Sequence, residues 1–134
     1  MAIRYTFKVY ERLKREQHIS TLFHSGKAFS VFPVKFIWLL VPRGAEVSPV
    51  RVGFSVPKKK FRSSVHRNRV RRLMREVWRL NKQEIYPAIP AQSQLHLFLI
   101  FTNAEMPILE TLQQTITKGI GQLIQKLQIQ QPGA

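Results

Sequence analysis

Sixteen residues, VHRNRVRRLMREVWRL (65–80), carry six arginines and a single acid, Glu76. A planar guanidinium pairs bidentately with phosphate and stacks on flat rings, which a lysine ammonium does not. The wider segment 58–82 holds eleven of the chain's 22 Lys and Arg against that one acid, a net charge of +10. A merely solvated helix face mixes signs, with Glu spaced four residues before Lys. Here nothing offsets the charge, and a polyanion is the natural counterpart. The candidate phosphate contacts are Lys58, Lys59, Lys60, Arg62, Arg67, Arg69, Arg71, Arg72, Arg75 and Arg79, with Lys82 at the far end. Asn68 is a poor helix-interior residue. It reads either as a local polar contact or as a contact to RNA or to a hydrated metal ion.

Other chemistries have little material. The chain has no cysteine, which removes thiol nucleophiles, disulfides and Cys-ligated zinc together. It has no aspartate either, so a Ser-His-Asp triad in its usual form is excluded. The seven acids are Glu11, Glu16, Glu46, Glu76, Glu84, Glu105 and Glu110, scattered in sequence, whereas two-metal nucleases converge several carboxylates. His18, His24, His66 and His96 lack ligand spacing, so no catalytic residue and no protein-held metal is assigned.

On a helix over 65–81, Val70, Leu73, Met74, Val77 and Leu80 form one stripe, with His66 and Trp78 near its edges. Asn68, Arg72, Arg75 and Arg79 fall on the opposite face, and Lys82 flanks it. Ser63 or Ser64 is placed to cap this helix. Before it, residues 14–25 predict a short helix ending at Gly26, and 29–41 predict one strand. Val34, Phe36, Trp38 and Leu40 share one face of that strand. Residues 50–57 predict a second strand, with Val50, Val52, Phe54 and Val56 inward and Arg51, Gly53 and Ser55 on a small polar face. A third strand follows at 95–102. The last helix starts near Pro107, with Leu109, Leu112, Ile116, Ile120, Leu123, Ile124 and Leu127 as its stripe; Gly119 and Gly121 weaken it.

The expected class is therefore α+β, a small sheet packed with helices in the order α-β-β-α-β-α, with room for one extra short strand. The 134 residues suit one RNA-binding domain, with a core over about 12–127 and frayed tails at 1–8 and 128–134. A net charge of +15 and a pI of about 11.2 point to nucleic acid, an anionic membrane or an acidic protein, with nucleic acid the commonest for a small folded domain. The most apolar run, 29–41, is too short to span a bilayer and contains Pro33 and Lys35. With no signal peptide in view, a cytoplasmic location is expected.

The block RVGFSVPKKKFRSSVHRNRVRRLMREVW (51–78) resembles the protein subunit of bacterial ribonuclease P. The matching features are the strand Arg51–Val56, the pair Lys58 and Lys59, the triplet Arg67-Asn68-Arg69, and the helix pattern Val70, Arg71, Arg72, Leu73, Arg75, Glu76. Residues 12–27 resemble the family's first helix, with Phe23 and Gly26 at expected places; Pro57 replaces a commoner small residue. The resemblance implies an additional strand and a left-handed βαβ crossover of the kind seen in the second domain of ribosomal protein S5. It implies a protein cofactor for removal of the 5′ leader from precursor tRNA, with the catalytic site and Mg²⁺ held mainly by the partner RNA and no organic cofactor. One protein per catalytic RNA is implied, with precursor tRNA as substrate and neither DNA nor membrane as partner. By position, Arg67, Asn68, Arg69, Arg71, Arg72, Arg75 and Arg79 would contact the catalytic RNA, beside Lys58, Lys59, Lys60 and Arg62. The leader would lie in a cleft between the first helix and the sheet, against Ile19 and Phe23, with Phe36, Ile37 or Trp38 as the sheet's contribution and Arg51 to touch phosphate. Ile19 stands where many members carry Phe.

Three other readings compete. A ribosomal or other structural RNA-binding protein explains the charge but not the ordered 51–78 block. A DNA regulator predicts duplex specificity and usually a dimer. A protein endonuclease predicts cleavage without RNA and dependence on a glutamate.

Overall fold

The computed structural model describes residues 9–129. Of the expected tails at 1–8 and 128–134, residues 1–8 and 130–134 lie outside that range, and Gln128 and Ile129 belong to the last helix. The elements are α1 (Glu16–Ser25), β1 (Lys27–Val31), β2 (Val34–Pro42), β3 (Val50–Ser55), α2 (Ser64–Asn81), β4 (Ser93–Phe101) and α3 (Leu109–Ile129). Short 3-10 turns cover Val9–Glu11, Lys82–Glu84 and Tyr86–Ala88.

The single strand expected over 29–41 is a hairpin. A turn at Phe32 and Pro33, joined by a cis peptide bond, reverses the chain between β1 and β2. The two pair antiparallel, with Phe29 opposite Phe36 and Lys27 opposite Trp38. The sheet order is β1-β2-β4-β3. β2 and β4 are antiparallel, and β3 runs parallel to β4. Parallel neighbours need a crossover, and α2 supplies it. The architecture is thus α-β-β-β-α-β-α, the expected α+β class with its extra strand.

The two faces of the sheet carry unequal cores. On one, Val34, Phe36 and Trp38 of β2, Val50 and Val52 of β3, and Leu95, Leu97, Leu99 and Phe101 of β4 are buried. α2 covers them with Val70, Met74, Val77 and Trp78, and α3 with Leu112, Ile116, Ile120, Leu123 and Leu127. Each such side chain contributes about 1.5–3 kcal/mol by leaving water. The other face holds a small cluster of Leu13, Leu22 and Ile37, edged by Ile19, Leu39, Phe98 and Ile100. α1 therefore covers only part of its face and leaves a cleft beside it.

Several expectations about the helices change. Leu80 is exposed; Trp78 completes the α2 stripe. Leu109 is exposed at the start of α3. Gly119 is no simple weakness: a Cβ there would lie 2.1 Å from the Phe36 ring. Its missing side chain lets α3 pass directly over β2. Ser63 occupies the α2 N-cap position with extended backbone, yet its side chain makes no capping bond.

Candidate RNA interface

The basic surface begins in the loop before α2. Lys58, Lys59, Lys60 and Arg62 are exposed, and the Lys60 N–H donates to the Pro57 carbonyl at 3.0 Å to form a tight turn. Arg67 closes this loop onto the helix. Its Nη1 donates to the carbonyls of Phe61 and Arg62, each at 2.8 Å. Arg67 is thus partly committed to the protein's own backbone, in addition to any ligand.

Asn68, Arg69, Arg72 and Arg75 are exposed along α2, while Arg71 and Arg79 are half-buried. Arg71 donates to the side-chain oxygen of Asn68, so Asn68 orients a guanidinium on this face. Arg79 pairs with Glu76, Nε to Oε2 at 3.1 Å, and this bond holds the Glu76 carboxyl below its usual range. The proton affinity of Arg75 is lowered by partial burial and then by the cations Arg12, Arg71 and Arg72. Like charges crowd together here, and Glu76 pairs with one of them, Arg79. Lys82 does not belong to this face. It is 3% exposed and ion-paired with Glu11 inside the protein, because the chain turns inward where α2 ends.

The second surface is the cleft beside α1. Phe23 is 49% exposed, and its ring meets the Phe98 ring edge-on, with centroids 5.2 Å apart. Ile19 is half-buried in the small cluster. Gly53 makes room for Phe98, since a Cβ there would lie 2.6 Å from that ring. Towards the start of α1, the His18 and His96 rings lie 4.9 Å apart. A cavity of about 240 Å³ opens beside them, lined also by Thr21, Arg43, Glu46 and Gln94. Burial pushes the His96 pKa down to about 4, and the His18 and Arg51 charges add to this against Glu46. Arg51 donates to the Arg12 carbonyl at 3.2 Å and to Glu46 at 2.7 Å. The bond to Arg51 is the main reason the Glu46 carboxyl titrates low.

Phe36 and Trp38 do not reach this cleft. They are 0% and 2% exposed and point to the α2–α3 side of the sheet, as core. The other parity of β2, Ile37 and Leu39, faces α1. Phe98 and His96 are the cleft residues the sequence reading missed. The signal lay in β4: in LHLFLIF, Leu95, Leu97, Leu99 and Phe101 take the core, which leaves His96, Phe98 and Ile100 for the α1 side.

No helix among the described residues is long and apolar enough to cross a membrane. The ribonuclease P family model matches residues 7–128. A ribonuclease P protein component from Porphyromonas gingivalis is 36% identical over 114 residues, covering 82% of this chain and 80% of that protein. One from Chlorobium phaeobacteroides is 35% identical over 123 residues, covering 84% of each. Among solved structures, the RNase P protein from Thermotoga maritima superimposes with a TM-score of 0.64 at 20% identity, covering 84% of this chain and 96% of that one. The Staphylococcus aureus RNase P protein does so with a TM-score of 0.64 at 18% identity, covering 84% and 94%. These two share the fold. With a family model spanning nearly the whole chain and relatives at this identity and coverage, the chain belongs to the ribonuclease P protein family.

Proposed function

We propose that this protein cofactor of ribonuclease P works by holding two RNAs at once. The face built from Lys58, Lys59, Lys60, Arg62, Arg67, Asn68, Arg69, Arg71, Arg72, Arg75 and Arg79 binds the catalytic RNA. The α1–sheet cleft, with Phe23, Phe98, Ile19 and Arg51, binds the single-stranded 5′ leader of precursor tRNA. The observation that carries this reading is the crowded, almost uncompensated set of guanidinium groups on α2, in a chain of this family. Lysine and arginine contacts to phosphate release counterions and lower the repulsion between two polyanions. Stacking on an exposed ring is tolerant of sequence, worth about 1–3 kcal/mol per base, and suits a leader that varies between precursors.

In this reading the hydrolysis and the Mg²⁺ belong to the RNA, one protein serves one catalytic RNA, and the complex works in the cytoplasm. The protein contributes binding and orientation, and thereby lowers the Mg²⁺ concentration required. The test is cleavage of precursor tRNA at low Mg²⁺ by protein alone, by cognate catalytic RNA alone, and by both. Strong cleavage at the mature 5′ end is expected only with both. Equal cleavage with and without protein would favour a purely structural RNA-binding role.

A further inference from the structure

Where the N-terminal segment crosses the end of α2, three side chains converge, Glu11 and Lys82 buried and Tyr86 half-buried. Lys82 Nζ donates to Glu11 Oε1, and the Tyr86 hydroxyl donates to the same oxygen at 3.2 Å. The Lys82 and Glu11 side chains are only 3% and 6% exposed, so neither is placed to touch RNA. Burial and the adjoining Glu11 carboxylate hold the Tyr86 hydroxyl well above the usual tyrosine range. An apolar pair of similar volume generally stabilises a core as well as a buried ion pair does. In some proteins what such a polar or ionic group adds is register, because it bonds in one arrangement.

The residues after Glu11 show what that register controls. Arg12 forms a parallel bridge to Val52 of β3, and its carbonyl accepts from Arg51. The Leu13 N–H donates to the Val52 carbonyl at 3.0 Å. The Leu13 side chain is buried with Leu22 of α1 and Ile37 of β2. Arg12 is also one of the charges that act on Arg75 of α2. Three consecutive residues, 11–13, thus connect the end of the arginine helix on one face of the sheet to the seat of α1 on the other.

We propose that the Glu11–Lys82 ion pair is a positioning latch: it ties residues 11–13 to α2 and so sets the geometry of the α1–sheet cleft for single-stranded RNA. The proposal rests on the reading of that cleft as the leader site. Binding of RNA along α2 and binding of RNA in the cleft are then coupled through one strap of main chain.

The test uses ribonuclease P reconstituted from the full-length protein and its cognate catalytic RNA. The readout is the ratio of affinities for leader-bearing precursor tRNA and for mature tRNA at one salt concentration. Glu11→Leu combined with Lys82→Met replaces the pair with apolar side chains. The expected result is an unfolding midpoint and a catalytic-RNA affinity close to wild type, with the leader ratio reduced by about tenfold, an ordinary size for coupling between two sites. A folded double variant that keeps the wild-type ratio overturns the latch and leaves the pair a merely structural role. Should the double variant not fold, Glu11→Gln combined with Lys82→Met decides, since it removes both charges of the pair and keeps a side-chain oxygen for the Tyr86 hydroxyl to donate to. A lowered ratio at unchanged catalytic-RNA affinity supports the latch, and an unchanged ratio overturns it. Phe23→Ala is the reference for direct contact. If the wild-type ratio is one, or Phe23→Ala leaves it unchanged, the cleft reading itself falls and the latch falls with it.

Discussion

Individual side chains here divide between those that also bond the protein itself and those with no such bond among the described contacts. Arg67 bonds two loop carbonyls, Arg79 answers Glu76, and Arg51 is held by Glu46 and the Arg12 carbonyl. Arg69, Arg72 and Arg75 stay exposed. His96 lies among the cleft residues but is 4% exposed and bonded to Gln94 at 2.9 Å. Its folded pKa of about 4 lies below the value of about 6.5 for an unperturbed histidine, so the fold favours the neutral ring. The stability this provides is complete above about pH 6.5, is lost as pH falls towards about 4, and changes no further below that. Urea unfolding across that range therefore distinguishes wild type from His96→Gln. The variant is expected to show a smaller loss of midpoint on acidification. Parallel slopes would mean that His96 titrates normally in the folded protein.

At the scale of elements, α3 owes its position to a side chain it lacks. Phe36 stacks on Phe29 with centroids 4.9 Å apart, and the open side of the Phe36 ring faces Gly119. Gly119→Ala would improve helix propensity by about 1 kcal/mol in isolation. Here it should destabilise by about 1–3 kcal/mol, because the ring cannot retreat from a buried sheet face without overpacking its neighbours. Combining it with Phe36→Leu should recover part of that loss. Denaturant midpoints for the two single variants and the double variant check this, and additive losses would show that the glycine and the ring do not meet. The arginine helix has a similar dependence on its surroundings. Its N-terminus has no serine cap bond, and the Arg67 bonds to the preceding loop keep Lys58–Arg62 beside α2.

For the whole molecule, a charge of +15 on a domain of this size repels itself, and a polyanion that binds the folded chain stabilises it by mass action. The affinity for catalytic RNA should therefore fall steeply with salt. Arg72→Ala with Arg75→Ala should weaken binding and flatten the log–log salt slope by about 0.7–0.9 for each phosphate no longer neutralised. Affinities measured across a range of potassium concentrations test this, and an unchanged slope would place the RNA elsewhere. Both residues are exposed and leave the core intact, so thermal stability should be unaffected or slightly raised as like charges are removed.

How much was legible in the sequence differs between the two surfaces. The arginine face of α2 could be read directly, because a helix repeats every 3.6 residues and one amphipathic stripe assigns all of its neighbours. The 51–78 block carried the resemblance to the family because its matching residues lie in one contiguous stretch. The cleft could not be read in this way. Alternation along β2 shows that Phe36 and Trp38 share a face and that Ile37 and Leu39 share the other, yet both faces are apolar, and nothing local says which helix covers which. The tertiary structure decided it by putting α2 and α3 over Phe36 and Trp38, and α1 over Ile37, Leu39 and Phe98. It also drew Lys82 out of the basic face and into a pair with Glu11, 71 residues away. Local periodicity determines which side chains travel together; only the packing of distant segments determines what they meet.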